Sequence, residues 1–208
     1  MITPSRRHTP LLVLVLLSAL APIAGCGGPT RSENMTRGIT INEGERIKKA
    51  LENLELAERA HRANHPDEAV EYYRRAIESY SDFHMAWNDL GVELMQLGRH
   101  QDAEQAFRMA ANVEPTDPRP YYNLGTLYQK LWYDDEALEY YIKALRRRPT
   151  YLPALRGAIQ SADLIKQVDD TTLEWIRQAL LLESDPQWLS YFQRLRLDIE
   201  SRLADEGL

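Results

Sequence analysis

Few side chains in this 208-residue sequence are of types and spacings that could carry chemistry. Cys26 is the single cysteine, so an internal disulfide is excluded and its sulfur is available as a nucleophile. His61 and His65 stand four residues apart with Glu58 close ahead, a spacing that puts two imidazoles and a carboxylate on one face of a helix. A zinc-protease pair needs Glu directly after the first histidine. Here Arg62, Ala63 and Asn64 intervene, and Pro66 follows His65, which places His65 in a turn. No metal site is expected. Arg146, Arg147 and Arg148 form a basic run whose ordinary role is to meet the negative end of a helix in solvent. The alternative is a contact with anionic headgroups or an acidic partner. A glycine-rich phosphate loop is absent from the sequence, so no cofactor and no catalytic activity are expected.

The elements that must hold these residues are helical. Ala, Leu, Glu and Arg, all strong helix formers, dominate beyond the N-terminus. Gly and Pro are few, 10 and 11, and cluster at the N-terminus and between apolar-periodic segments. With 44% hydrophobic and 27% charged residues the chain can build a core. Its formal net charge of -6 gives no counterion-release term on nucleic acid, so DNA and RNA are not expected partners.

Residues 1–25 read as an export signal: Arg6, Arg7 and His8, then an apolar stretch from Leu11 to Ala24 broken only by Ser18 and Pro22. At about 1.5 Å per residue the stretch reaches roughly 21 Å, short of the roughly 30 Å of hydrocarbon in a bilayer. A transmembrane helix is therefore not expected. The segment holds no acidic residue, so its removal leaves a more acidic chain.

Ile23-Ala24-Gly25-Cys26 resembles the lipobox of bacterial lipoproteins. The resemblance implies a diacylglyceryl group on the Cys26 thiol, cleavage before it, and a membrane anchor. Two or more acyl chains suffice for lasting attachment where one does not. Lipid on Cys26 removes it from any Cys–His pairing. In enteric-type Gram-negative bacteria an Asp after this cysteine retains lipoproteins in the inner membrane. Gly27 stands there instead, which implies the periplasmic face of the outer membrane in such an envelope. Residues 26–44, polar and rich in Gly, Pro, Ser and Thr, suit a flexible tether.

The remainder repeats itself. Asp67-Glu68-Ala69, Tyr73 and Ala76 recur 34 residues later as Gln101-Asp102-Ala103, Phe107 and Ala110, and again as Asp135-Glu136-Ala137, Tyr141 and Ala144. Leu56-Ala57, Leu90-Gly91 and Leu124-Gly125 keep the same period, and Pro115 and Pro149 close the second and third copies. This pattern resembles the tetratricopeptide repeat (TPR). The resemblance implies an all-α fold, a right-handed helix-turn-helix solenoid, with repeats at 50–83, 84–117 and 118–151 inside a body of 45–151. Small residues such as Gly91 and Ala103 let paired helices approach, aromatics fill between them, and Gly98 and Asn64 tolerate a left-handed turn.

Helices are expected at about 45–63, 66–79, 84–97, 100–113, 118–131 and 134–147. Residues 152–208 form a degenerate fourth pair, near 152–167 and 171–183, and a capping helix near 186–204. Ile159 stands in the small-residue slot of that fourth copy. Trp188, Phe192, Leu195, Ile199 and Leu203 make one apolar stripe on the last helix, either a cap on the exposed end of the stack or a self-association face. Trp132 holds a turn position where Gly is usual, and packing on its neighbours is its expected role.

In tetratricopeptide arrays the first helix of each repeat lines a concave groove. The resemblance assigns to it Glu55, Glu58, His61 and Arg62, then Met85, Asn88, Asp89, Val92, Met95 and Gln96, then Arg119, Tyr122, Asn123, Thr126, Gln129 and Lys130. The groove so composed is acidic at its start, apolar in the middle and polar-to-basic beyond, which suits an extended peptide or helix. The family's chaperone-tail clamp needs Lys and Asn in slots held here by Asn88 and Val92, or Tyr122 and Thr126, so that specificity is not expected. The function expected is a lipid-anchored protein-protein interaction scaffold or adaptor of the bacterial cell envelope, with one or more protein or peptide partners. The alternatives are a self-associating structural component, or a non-catalytic glycan-binding accessory using Trp132 and Tyr133.

Overall fold

A computed structural model describes residues 31–167 and 169–205. The lipobox and Cys26 lie outside the described residues. Nine helices occupy the described chain: α1 (Arg31–Arg62), α2 (Pro66–Ser79), α3 (His84–Gln96), α4 (His100–Val113), α5 (Pro118–Lys130), α6 (Asp134–Arg147), α7 (Leu152–Leu164), α8 (Asp170–Leu182) and α9 (Pro186–Asp205). The chain separates into two units, Met1–Ile39 and Thr40–Leu208. The described part of the first, residues 31–39, is helical.

Helix α1 starts earlier than the expected helix near 45–63. Residues 31–44 are helical, so the helix begins fourteen positions before residue 45. No proline occurs between Pro29 and Pro66 to stop a helix, and the polar residues of this stretch carry no apolar face that periodicity could detect. Residues 42–46 are exposed, and from residue 42 onward the first fully buried side chain is Ala50.

From Ala50 onward the helices pack in succession, α3 on α4, α5 on α6, and each second helix on the first helix of the next pair. The 34-residue period is written into the backbone by four turns. Asn64, Gly98, Trp132 and Lys166 all have left-handed φ, between 58 and 73°. Each is followed by an amide that reaches back across the turn: His65 to Ala60 O, Arg99 to Leu94 O, Tyr133 to Tyr128 O and Gln167 to Ala162 O, at 2.8–3.0 Å. This is the Schellman closure, which satisfies the last helical carbonyls and reverses the chain. Lys166 shows that the degenerate fourth pair turns as the others do.

The core follows from the repeat residues. Ala57, Ala69, Ala76, Ala103, Ala110, Ala137 and Ala144 have no exposed surface, and Phe107 and Tyr141 are buried between helices. Each such aromatic contributes about 1.5–3 kcal/mol by leaving water. A Cβ at Gly91 would come within 2.5 Å of the Phe107 ring, and one at Gly125 within 2.7 Å of Tyr141. Gly157 also meets Tyr141, from the following helix, so the ring lies between two glycines. Ile159 is itself fully buried. The stripe of α9 is spent within the chain: Phe192, Leu195 and Ile199 are buried in the cluster built by α6–α8. Of the two roles open to that stripe, the described residues place it as a cap.

Candidate protein-binding face

The first helices α1, α3 and α5 carry the assigned groove residues, and contacts at a step of 35 residues join them between repeats. Asn123 Nδ2 donates to Asn88 Oδ1 at 2.8 Å, and Lys130 Nζ donates to Met95 O at 3.5 Å. Asn88 is only 4% exposed, and its own Nδ2 donates to Asp89 Oδ1 at 3.0 Å. A hydrogen-bonded bridge therefore runs from Asp89 through Asn88 to Asn123.

Around that bridge the assigned residues divide. Met85 is exposed, as is Lys130, whereas Val92 and Met95 are half-buried and pack on the core. Tyr122 leans on Tyr141 and Tyr151, with ring centroids 5.9 and 5.6 Å away. Thr126 donates to Tyr122 O, and Gln129 Oε1 accepts from the Tyr141 hydroxyl at 3.0 Å. Arg119 is engaged apart from that bridge, donating to both carboxylate oxygens of Asp117.

Electrostatics follow burial. Burial raises the Asp89 carboxyl above its usual range, opposed by the Asn88 hydrogen bond and the Arg119 charge. Burial also pushes the Tyr73 phenol up, reinforced by Asp89, Glu93 and Glu58, so these groups share one patch. Tyr141 is pushed up to about 12, chiefly by burial. At Asp117 burial acts upward, but the hydrogen bonds and charge of Arg119 outweigh it and hold the carboxyl low.

Sequence reasoning missed Glu93. It is 2% exposed and accepts from His61 Nδ1 at 2.5 Å. The signal was the period: Leu127 and Ser161 occupy the same slot, and both are buried. The two histidines do not converge, since His65 lies 3.5 Å from Glu68 instead. Among the described residues no group of three His, Cys, Asp or Glu side chains is placed to hold a metal. Arg147 of the basic run is bound internally, donating to Pro115 O and Lys143 O and lying 3.6 Å over the Tyr121 ring.

Trp132 corrects an expectation. Its side chain does not pack on its neighbours: the residue is 85% exposed, because the left-handed turn aims it outward.

Residues 54–121 and 118–151 each match a sequence model of the tetratricopeptide repeat. Residues 54–151 are tetratricopeptide repeats. Curated relatives include the peroxisomal targeting signal receptor of Eremothecium gossypii, 26% identical over 118 residues, 55% of this chain and 21% of that one. The receptor of the same name from Saccharomyces cerevisiae is 24% identical over 115 residues, 55% of this chain and 18% of that one. The chain thus spans about a fifth of the length of the curated relatives it matches. Among solved structures, MamA from Desulfovibrio magneticus RS-1 superposes with a TM-score of 0.61 at 20% identity, over 76% of this chain and 90% of that one. The Arabidopsis OM64 TPR domain gives 0.55 at 19%, over 57% and 98%. The first TPR of Spaghetti (RPAP3), bound to an HSP90 peptide, gives 0.55 at 17%, over 58% and 96%. These likenesses establish the tetratricopeptide fold. Among the described residues no helix is long and apolar enough to cross a membrane.

Proposed function

We propose that this chain is a lipid-anchored adaptor of the bacterial cell envelope, tethered through Cys26, whose tetratricopeptide groove holds a segment of a partner protein. The tetratricopeptide fold supports a protein-interaction scaffold. The observation that carries the groove reading is the bridge from Asp89 through Asn88 to Asn123, which fixes polar groups across two repeats before any ligand arrives. Preorganised polar groups lower the ordering cost of binding. The peptide seen on the RPAP3 repeats and the targeting signal in the relatives' name supply analogies for the class of ligand. The anchor rests on the lipobox resemblance at Ile23-Ala24-Gly25-Cys26.

Both halves are testable on the full chain in bacterial membranes. Labelled palmitate should enter the parent and not Cys26→Ala, and crosslinking should recover one or more specific proteins. Tyr122→Ala with Lys130→Glu should lose those proteins while keeping the lipid. Release of the parent from membranes by salt alone would overturn the anchor. Unchanged partner recovery by the groove variant would overturn the groove.

A further inference from the structure

The α5–α6 turn stands apart from the groove. At the equivalent position the other turns carry Asn64, Gly98 and Lys166, whereas this one carries an aromatic at φ 66°. Bulky residues rarely occupy that region, and such an outlier persists where something outside local stability retains it. The ring gains nothing from the fold, since Trp132 is 85% exposed. Tyr133, 53% exposed, is braced from behind: its ring lies 6.4 Å from Tyr128, which stacks on Tyr140 at 5.2 Å. An exposed indole thus adjoins, in sequence, a tyrosine braced by two further rings.

The charge beside it is acidic. Asp135 and Glu136, three and four residues beyond Trp132 on the first turn of α6, are both exposed. Nearby basic side chains are directed elsewhere, Arg99 to Asp102, Lys166 to Asp163, Lys143 to Glu139 and Lys130 to Met95 O. A π-face open to solvent next to exposed carboxylates is complementary to a cation on an aliphatic stem. The same carboxylates repel anionic lipid headgroups.

We infer that this turn is a second protein-contact surface, where Trp132 and Tyr133 receive a lysine or arginine side chain of a partner by cation–π contact and Asp135 and Glu136 pair with its charge. It would make the scaffold bivalent, with one segment in the groove and one on the turn.

The test titrates the full chain with a synthetic peptide of alternating Arg and Ser, followed by calorimetry. Saturable binding is expected, weakened about tenfold by Trp132→Gly, severalfold by Asp135→Asn with Glu136→Gln, and further by salt. Trp132→Gly should melt at the parent's temperature or above it, because glycine accepts this φ freely, as Gly98 does. A structural role for the ring predicts a lower melting temperature, and that result would overturn the inference. So would absent binding, affinity unchanged in Trp132→Gly, or equal binding of a Glu–Ser peptide, peptidoglycan fragments or zwitterionic phospholipid vesicles.

Discussion

His61 Nδ1 and Glu93 Oε1 lie 2.5 Å apart, joining the last turn of α1 to a carboxylate sealed inside α3. The half-exposed imidazole is the side-chain partner of a group that water cannot reach. Removing one member of such a pair leaves the other buried without compensation. His61→Ala should therefore cost about 1–3 kcal/mol in urea unfolding. Glu93→Leu should be neutral or stabilising, since Leu127 fills that slot one repeat later. Equal losses for both substitutions would refute the pairing.

The Tyr141 ring fits between two glycines, and its position leaves no room for a methyl group on either side. Gly157→Ala and Gly125→Ala should each destabilise by about 1–3 kcal/mol through overpacking. Each kcal/mol corresponds to a fall of about 2–4 °C in melting temperature for a body of this size. Gly44→Ala is the control, because a Cβ there meets nothing within 4 Å. It should stabilise helix α1 by about 0.5–1 kcal/mol.

Asp89 and Asp117 are perturbed in opposite directions, so they link stability to pH with opposite signs. Folding raises the Asp89 pKa; its contribution is full below the unfolded value of about 3.9 and is lost as pH rises through the folded value. Folding lowers the Asp117 pKa; its contribution is present above about 3.9 and is lost as pH falls through the folded value. Asp89→Asn should raise the melting temperature at pH 7, with the gain vanishing near pH 3. Asp117→Asn keeps a helix N-cap at α5 but loses the Arg119 pairing, so it should lower stability at pH 7 by about 1 kcal/mol, a deficit that narrows in acid. Thermal melts of the two variants across pH 3–7 that ran parallel to the parent would disprove this linkage.

The bridge between Asn88 and Asn123 predicts coupling between neighbouring repeats. Asn123→Ala strands the carbonyl of a residue that is 4% exposed and should cost about 1–2 kcal/mol. The double substitution with Asn88→Ala should cost less than the sum of the two single ones, by about 0.5–1 kcal/mol. Strictly additive losses in the double-mutant cycle would show that the bridge carries no energy.

The helical fold was legible in the residues because its cause is local and periodic. Alanine, glycine and aromatic slots recur every 34 positions, and prolines and turn residues punctuate them, so eight of the nine described helices lie near where periodicity places them. The start of the first helix escaped because residues 31–44 hold only Met35, Ile39 and Ile41 as large apolar residues, too few to set a period. Side-chain partnership is a different matter, since it depends on which residues of other helices come near. Val92 and Met95 fall in slots that the tetratricopeptide resemblance assigns to the groove yet pack inward, and Glu93 looks like a surface acid yet is enclosed. Gly157 meets Tyr141 in addition to Gly125 of the ring's own repeat, a contact made by the following helix that the repeat register does not announce. Trp132 points to solvent because a left-handed backbone turns it there. Spacing along one chain specifies which residues share a helix face; only the stacking of helices separates those that meet water from those that meet each other.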